Sequence, residues 1–195
     1  MMRVIVPSDP RRRMIQSAAL LMRERGVEAT SFSEVIERSG APRGSIYHHF
    51  PGGKAQLIEE STRYAGDFIA AGLVAALETS DPLASVRAFV ASWRAILRQS
   101  DYGAGCPVVA ATLEGDRTPG ARAAAGVAFA RWQDLLADGI AGRGVAPARA
   151  RSVATLTIAA IEGAVIVARA QRSSGPLDRV AGELERVVAD AIALR

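Results

Sequence analysis

Between Thr30 and Lys54 the chain reads TSFSEVIERSGAPRGSIYHHFPGGK, and this stretch decides the fold. Ser31-Phe32-Ser33-Glu34 has capping-box spacing, in which the serine hydroxyl and the glutamate carboxylate each satisfy an orphan backbone N–H at a helix start. The helix it opens is short and stops near Gly40. Another begins around Pro42, whose fixed φ suits a first helical turn, and reaches Phe50 before Pro51-Gly52-Gly53 breaks it. Two short helices joined by the tight turn Ser39-Gly40-Ala41 make a helix-turn-helix. A helix from about Asp9 to Arg25 precedes them, with Ile15, Ala18, Ala19 and Met22 on one face, Ser8 or Asp9 as its cap and Gly26 at its end.

Beyond Gly53 the pieces lengthen. Gly, Pro, Asp and Ser divide the rest into Lys54 to Glu78, Pro82 to Gln99, Gly105 to Glu114, Pro119 to Ile140, Pro147 to Gln171 and Pro176 to Leu194. About nine helices and no strand is the expectation: an all-α chain with a three-helix helix-turn-helix domain at 1–53 and a helical domain at 54–195. Composition agrees, because the 195 residues are 49% hydrophobic and only 5% aromatic, which disfavours both disorder and a sheet. The one cysteine, Cys106, excludes an internal disulfide and a cysteine zinc cage, so a cytosolic protein is expected. The longest apolar stretch, Val153 to Ala168, contains Glu162 and falls short of the roughly 18 to 20 residues of a membrane span. The opening MMRVIV is too short for a secretion signal.

Charge is placed unevenly. The formal net charge is +4, and residues 1–54 hold nine basic against five acidic residues, so the remainder sums to zero. The only lysine, Lys54, and both histidines, His48 and His49, lie in that segment. Arg43 presents the planar fork suited to a guanine edge, and Gly44, lacking a side chain, lets backbone approach a base. Ser45, Tyr47, His48 and His49 place hydroxyl and imidazole donors where they can grip phosphates, while Lys54 adds a cation at the positive end of a helix. Each has a plainer alternative: Ser31 as a cap, His49 as a ring packed on Phe50, the basic segment as a solvated surface. Ile46 and Phe50 should be core.

Residues 9–68, and above all Thr30 to Lys54, resemble the DNA-binding domain of TetR-type transcriptional regulators. The glycine turn, the small-basic-Gly-Ser run, Tyr47-x-His49-Phe50 and the following lysine carry the likeness. It implies that Ser31, Ser33, Arg43, Gly44, Tyr47, His48, His49 and Lys54 touch operator DNA, and that the neutral remainder dimerises and binds a small effector, with repression the usual outcome. Two departures stand out: Pro42 replaces a frequent hydroxyl cap, and Pro51-Gly52-Gly53 adds a residue before the lysine. The longer loop and Gly105-Cys106-Pro107 are similar to the branch that includes LmrA and YxaF repressors of drug-resistance genes.

In the second half, the helix from Thr155 to Ala168 is apolar nearly all round and must be covered on several sides. We therefore expect a homodimer through the last two helices. The last carries a stripe of Leu177, Val180, Leu184, Val187, Val188, Ala191 and Ile192. Candidates to line an effector pocket between helices are Phe68, Trp93, Tyr102, Cys106, Phe129, Trp132 and Glu162, although aromatics at helical spacing are more often core. Glu162 must find a partner, either an arginine across the dimer or a polar effector group. An effector seated between the fourth and eighth helices would tilt the fourth and spread the recognition helices. A helical interaction module with a degenerate DNA domain, or a redox sensor at Cys106, are the alternatives. No cofactor, metal or catalytic constellation is expected: both histidines lie in the recognition segment and there is no G-x-S-x-G.

Overall fold

The computed structural model describes residues 9–78, 82–114 and 118–194. Among them are nine helices: α1 (Pro10–Arg25), α2 (Phe32–Ser39), α3 (Ser45–His49), α4 (Gly53–Leu77), α5 (Pro82–Gln99), α6 (Pro107–Leu113), α7 (Pro119–Ala141), α8 (Pro147–Gln171) and α9 (Gly175–Ala193). No strand occurs among the described residues. The chain forms two compact units, one from residues 1–65 and 107–126 and one from 66–106 and 127–195. The border thus falls inside α4, twelve residues beyond the functional division expected at 53.

Local chemistry sets each end of the first two helices. Asp9 caps α1 by accepting the Arg11 N–H at 2.9 Å, with Pro10 in the first turn; the alternative cap, Ser8, lies outside the described residues. Gly40 ends α2 at φ +63°, the left-handed conformation that glycine adopts without steric cost. The third helix is shorter than expected. It begins at Ser45 rather than Pro42, because residues 43 and 44 form a turn in which both the N–H and the hydroxyl of Ser45 donate to the Pro42 carbonyl, at 3.0 and 2.7 Å. The sixth helix begins at Pro107, leaving Gly105 and Cys106 outside it.

In the first unit α1 packs on α2, α3 and α6. Its core is Met14, Ala18, Leu21, Val35, Ala41, Ile46, Phe50 and Leu57, flanked by Ile15, Phe32 and Ile36. The α1 face is therefore rotated slightly from the one read in the sequence, with Met14 replacing Ile15 at its centre.

In the second unit α5, α8 and α9 pack together. Leu177, Leu184, Val188 and Ala191 of the α9 stripe are buried, while Val180, Val187 and Ile192 are half-buried at its edge. One face of α8, including Val153, Ile158, Ile161 and Val165, is buried. Its opposite face is open, and Leu156, Ile166 and Val167 are 48%, 52% and 43% exposed. By length and composition alone α8, at 25 residues, is long and apolar enough to cross a membrane. The helix extends beyond the apolar stretch Val153 to Ala168 at both ends.

Candidate nucleic-acid interface

The interface is built on a buried anchor. Ile46 and Phe50 are 1% and 0% exposed, so the inward side of α3 is fixed in the core. Fixing that side leaves the neighbouring residues facing outward: Arg43, Gly44, Tyr47 and His48 are exposed, and Ser45 and His49 are half-buried. Tyr47 is 70% exposed. Its ring meets Phe32 of α2 edge-to-face, with centroids 5.5 Å apart, which orients the phenol without hiding it. His48 and His49 meet edge-to-face at 5.4 Å, and His49 meets Phe50 at 6.5 Å. His49 thus packs and faces outward at once.

Supporting contacts fix the frame. The Arg13 Nε donates to the Ser39 carbonyl at 3.0 Å, a cation placed at the negative end of α2. Arg11 binds Glu60 of α4 at 2.5 Å, and its guanidinium lies 5.2 Å over the Phe50 ring. Arg38 pairs with Glu24 at 2.7 Å, and this bond is the main reason the Glu24 carboxyl is held below its usual value. Several basic residues of the N-terminal segment therefore serve the fold and leave the charge of Arg43 and Lys54 at the surface.

Two predicted contacts carry local duties. Ser31 completes the capping box: its oxygen accepts the Glu34 N–H at 3.3 Å and its own backbone N–H donates to the Glu34 carboxylate at 3.4 Å, while its hydroxyl donates to the same carboxylate at 2.9 Å. That hydroxyl bond is the leading cause of the lowered Glu34 pKa. The Ser33 hydroxyl lies 3.0 Å from that of Ser31. Lys54, in the first turn of α4, donates from Nζ to the Glu28 carbonyl at 2.8 Å. The bond uses one of its three N–H donors.

Of the effector candidates, Phe129 meets Trp132 and Cys106 meets Glu162. Trp132 is 1% exposed and donates from Nε1 to the Gly66 carbonyl at 3.0 Å, with Phe129 edge-to-face against it at 5.1 Å. Trp93 is 3% exposed, beside Phe89, whereas Phe68 is 68% exposed. Tyr102 sits in a turn where it and Asp101 have φ of +60° and +49°. Cys106 is buried and hydrogen-bonds to Glu162. A cavity of about 50 Å³ does exist in this unit, lined by residues such as Leu73, Val86, Phe89, Ile140 and Ile161 with Ser85, Thr157 and Arg143. None of the seven candidates lines it. The cavity lining is mainly aliphatic, and no motif sets it apart from ordinary core.

Comparisons with known proteins cover both halves. Residues 14–61 match the family described as bacterial regulatory proteins, tetR family, and residues 82–183 match the transcriptional regulator LmrA/YxaF-like C-terminal domain. An uncharacterized HTH-type transcriptional regulator of Mycobacterium tuberculosis, Rv0196, is 42% identical over 92% of this chain and 94% of its own. The HTH-type transcriptional regulator LmrA of Bacillus subtilis is 28% identical over 87% of this chain and 91% of its own. Among solved structures, a TetR transcriptional regulator from Legionella pneumophila superimposes with a TM-score of 0.81 at 22% identity, covering 95% of this chain and 98% of that one.

Proposed function

The chain belongs to the TetR family of DNA-binding transcriptional regulators, with an LmrA/YxaF-like C-terminal domain, and from that premise we propose that it is a homodimeric, effector-released repressor. The observation that carries this reading is the division of residues 43–50, which comprise α3 and its two ends, with Ile46 and Phe50 buried and Arg43, Gly44, Tyr47 and His48 turned to solvent. Two such helices in one dimer enter successive major grooves of a pseudo-palindromic operator. Arg43 and Gly44 read bases. Ser31, Ser33, Ser45, Tyr47, His48, His49 and Lys54 hold phosphates, which supply most of the affinity. Residues 1–53 form the DNA-binding part and 54–195 the part that senses and dimerises.

Family members dimerise, and the open apolar face of α8, with Leu156, Ile166 and Val167, is the surface we assign to that contact, together with α9. The effector is small and hydrophobic, taken up among the helices of the second unit. The places to look for it are the candidates Phe68, Trp93, Tyr102, Cys106, Phe129, Trp132 and Glu162 and, separately, the cavity of about 50 Å³. Release requires that the effector prefer the DNA-incompetent state, by a coupling free energy of about 1 to 3 kcal/mol. In this reading the protein works in the cytoplasm, without cofactor, metal or catalytic step.

Selection of bound sequences from random duplex DNA, at near-physiological salt and without added ligand, tests the reading. An enriched inverted repeat supports a dimeric, sequence-reading regulator and supplies the probe for an effector screen. No enrichment by a folded dimer counts against it.

A further inference from the structure

Glu114 stands just after α6, and its side chain turns back onto the connection between α1 and α2. Its two oxygens accept consecutive backbone donors: Oε1 takes the Val27 N–H at 3.1 Å and Oε2 the Glu28 N–H at 2.6 Å. Bonds from backbone N–H groups to a carboxylate are charge-assisted and stronger than neutral ones. Gly26 is fitted to the same carboxylate. It has φ +87°, and a Cβ added there would lie 2.3 Å from Oε1. On the other side of the turn Thr30 donates to the Gly26 carbonyl at 2.8 Å. The carbonyl of Glu28 then accepts Lys54 Nζ at 2.8 Å. One residue, Glu28, is thus gripped through its N–H by Glu114 and grips Lys54 through its C=O.

We propose that Glu114 is a positioning residue for DNA binding: by clamping residues 27 and 28 it fixes the carbonyl that holds the Lys54 ammonium at the start of α4, where a phosphate is taken. The inference rests on the reading of Lys54 as a phosphate contact. Its sign sets it apart from bulk electrostatics. Removing a negative charge from a DNA-binding protein should by itself strengthen binding to a polyanion, whereas loss of the clamp weakens it. Gln in place of Glu114 keeps the length and one acceptor but turns an NH₂ toward the second backbone donor, so half the clamp opens.

The test uses the full-length protein and four forms: wild type, Glu114→Gln, Lys54→Ala and the double variant. Each is titrated on a labelled 30-base-pair duplex of mixed sequence over a salt series, and amide hydrogen exchange is followed at Val27 and Glu28. The expected result is faster exchange at those amides and duplex affinity reduced about three- to tenfold in Glu114→Gln, with the double variant no weaker than Lys54→Ala alone. Glu114→Gln binding as well as or better than wild type, or losses that multiply in the double variant, overturns the proposal while the phosphate role of Lys54 stands. Lys54→Ala binding like wild type overturns both. Glu114→Asp retains the charge but is one methylene short; if Glu114→Gln fails to fold, it carries the same prediction, and wild-type affinity in it is equally fatal.

Discussion

The Cys106 thiol hydrogen-bonds to the Glu162 carboxyl, whose Oε2 is shut off from solvent without a hydrogen-bond partner among the described residues. Burial dominates. It pushes the carboxyl from its ordinary 4.5 up to about 7, with the Cys106 bond pulling modestly the other way.

The consequence for stability has a definite sign. Below 4.5 the carboxyl is protonated in both folded and unfolded chains. Between 4.5 and about 7 the unfolded chain gives up its proton first, so stability falls as pH rises, and above 7 the loss levels off on the order of 3 kcal/mol. Glu162→Gln removes that loss. Thermal melts should therefore coincide with wild type near pH 4 and lie several degrees higher at pH 8. A constant offset at both pH values would show that the carboxyl does not titrate in this range.

Arg43, Tyr47 and Lys54 should fail in different ways on DNA. Arg43→Ala is expected to relax base preference at one operator position, costing roughly 1 to 3 kcal/mol there and little elsewhere. Lys54→Ala should weaken every sequence and reduce the salt slope by about one unit. Tyr47→Ala should weaken every sequence with the slope nearly unchanged, because the lost hydrogen bond is neutral. Titrations on operator and mixed duplexes at three salt concentrations separate the three patterns. Uniform weakening by Arg43→Ala would make it a phosphate contact.

Ser31 caps α2, and two substitutions can separate that duty from the phosphate contact proposed for it. The capping box predicts that Ser31→Ala lowers the free energy of unfolding by about 1 kcal/mol. A phosphate contact adds a loss of DNA affinity. Ser31→Asp keeps an acceptor for the Glu34 N–H but sets a negative charge against DNA. Chemical denaturation should find it more stable than Ser31→Ala, while duplex titration finds it the weaker binder.

On α8, the exposed Leu156 and Ile166 are expected to lie in the dimer contact. Ile166→Glu would bury a charge opposite its own copy and should convert the dimer to monomer, or weaken it by at least a hundredfold, in sedimentation at micromolar concentration. An unchanged dimer would place the contact elsewhere.

What the residues disclosed follows from how local the physics is. The capping box at Ser31 and Glu34, the stop at Gly40 and the buried pair Ile46 and Phe50 need only near neighbours, and all are readable in order along the chain. The aliphatic cavity was not legible, because Leu73, Ile140 and Ile161 become neighbours only when α4, α7 and α8 pack, and nothing in their chemistry distinguishes lining from filling. Trp132 reads as a pocket candidate because it is aromatic; its indole caps the Gly66 carbonyl, a partner 66 residues away that spacing cannot show. Glu114 carried no signal either. It looked like the end of a helix, and its role depends on a turn 86 and 87 residues upstream.

The chain contains a single lysine, and it is Lys54, tied to Glu28 at the mouth of α4. Every other side-chain cation is a guanidinium or a histidine, so apart from the N-terminus the protein has one amine. Acetylation, or an acylating reagent in a test tube, thus has one side chain to strike, and striking it cancels the charge at the start of α4. If Lys54 holds a phosphate as proposed, bound DNA should shield that amine, and the rate of its acylation would then report occupancy of the operator without any engineered label.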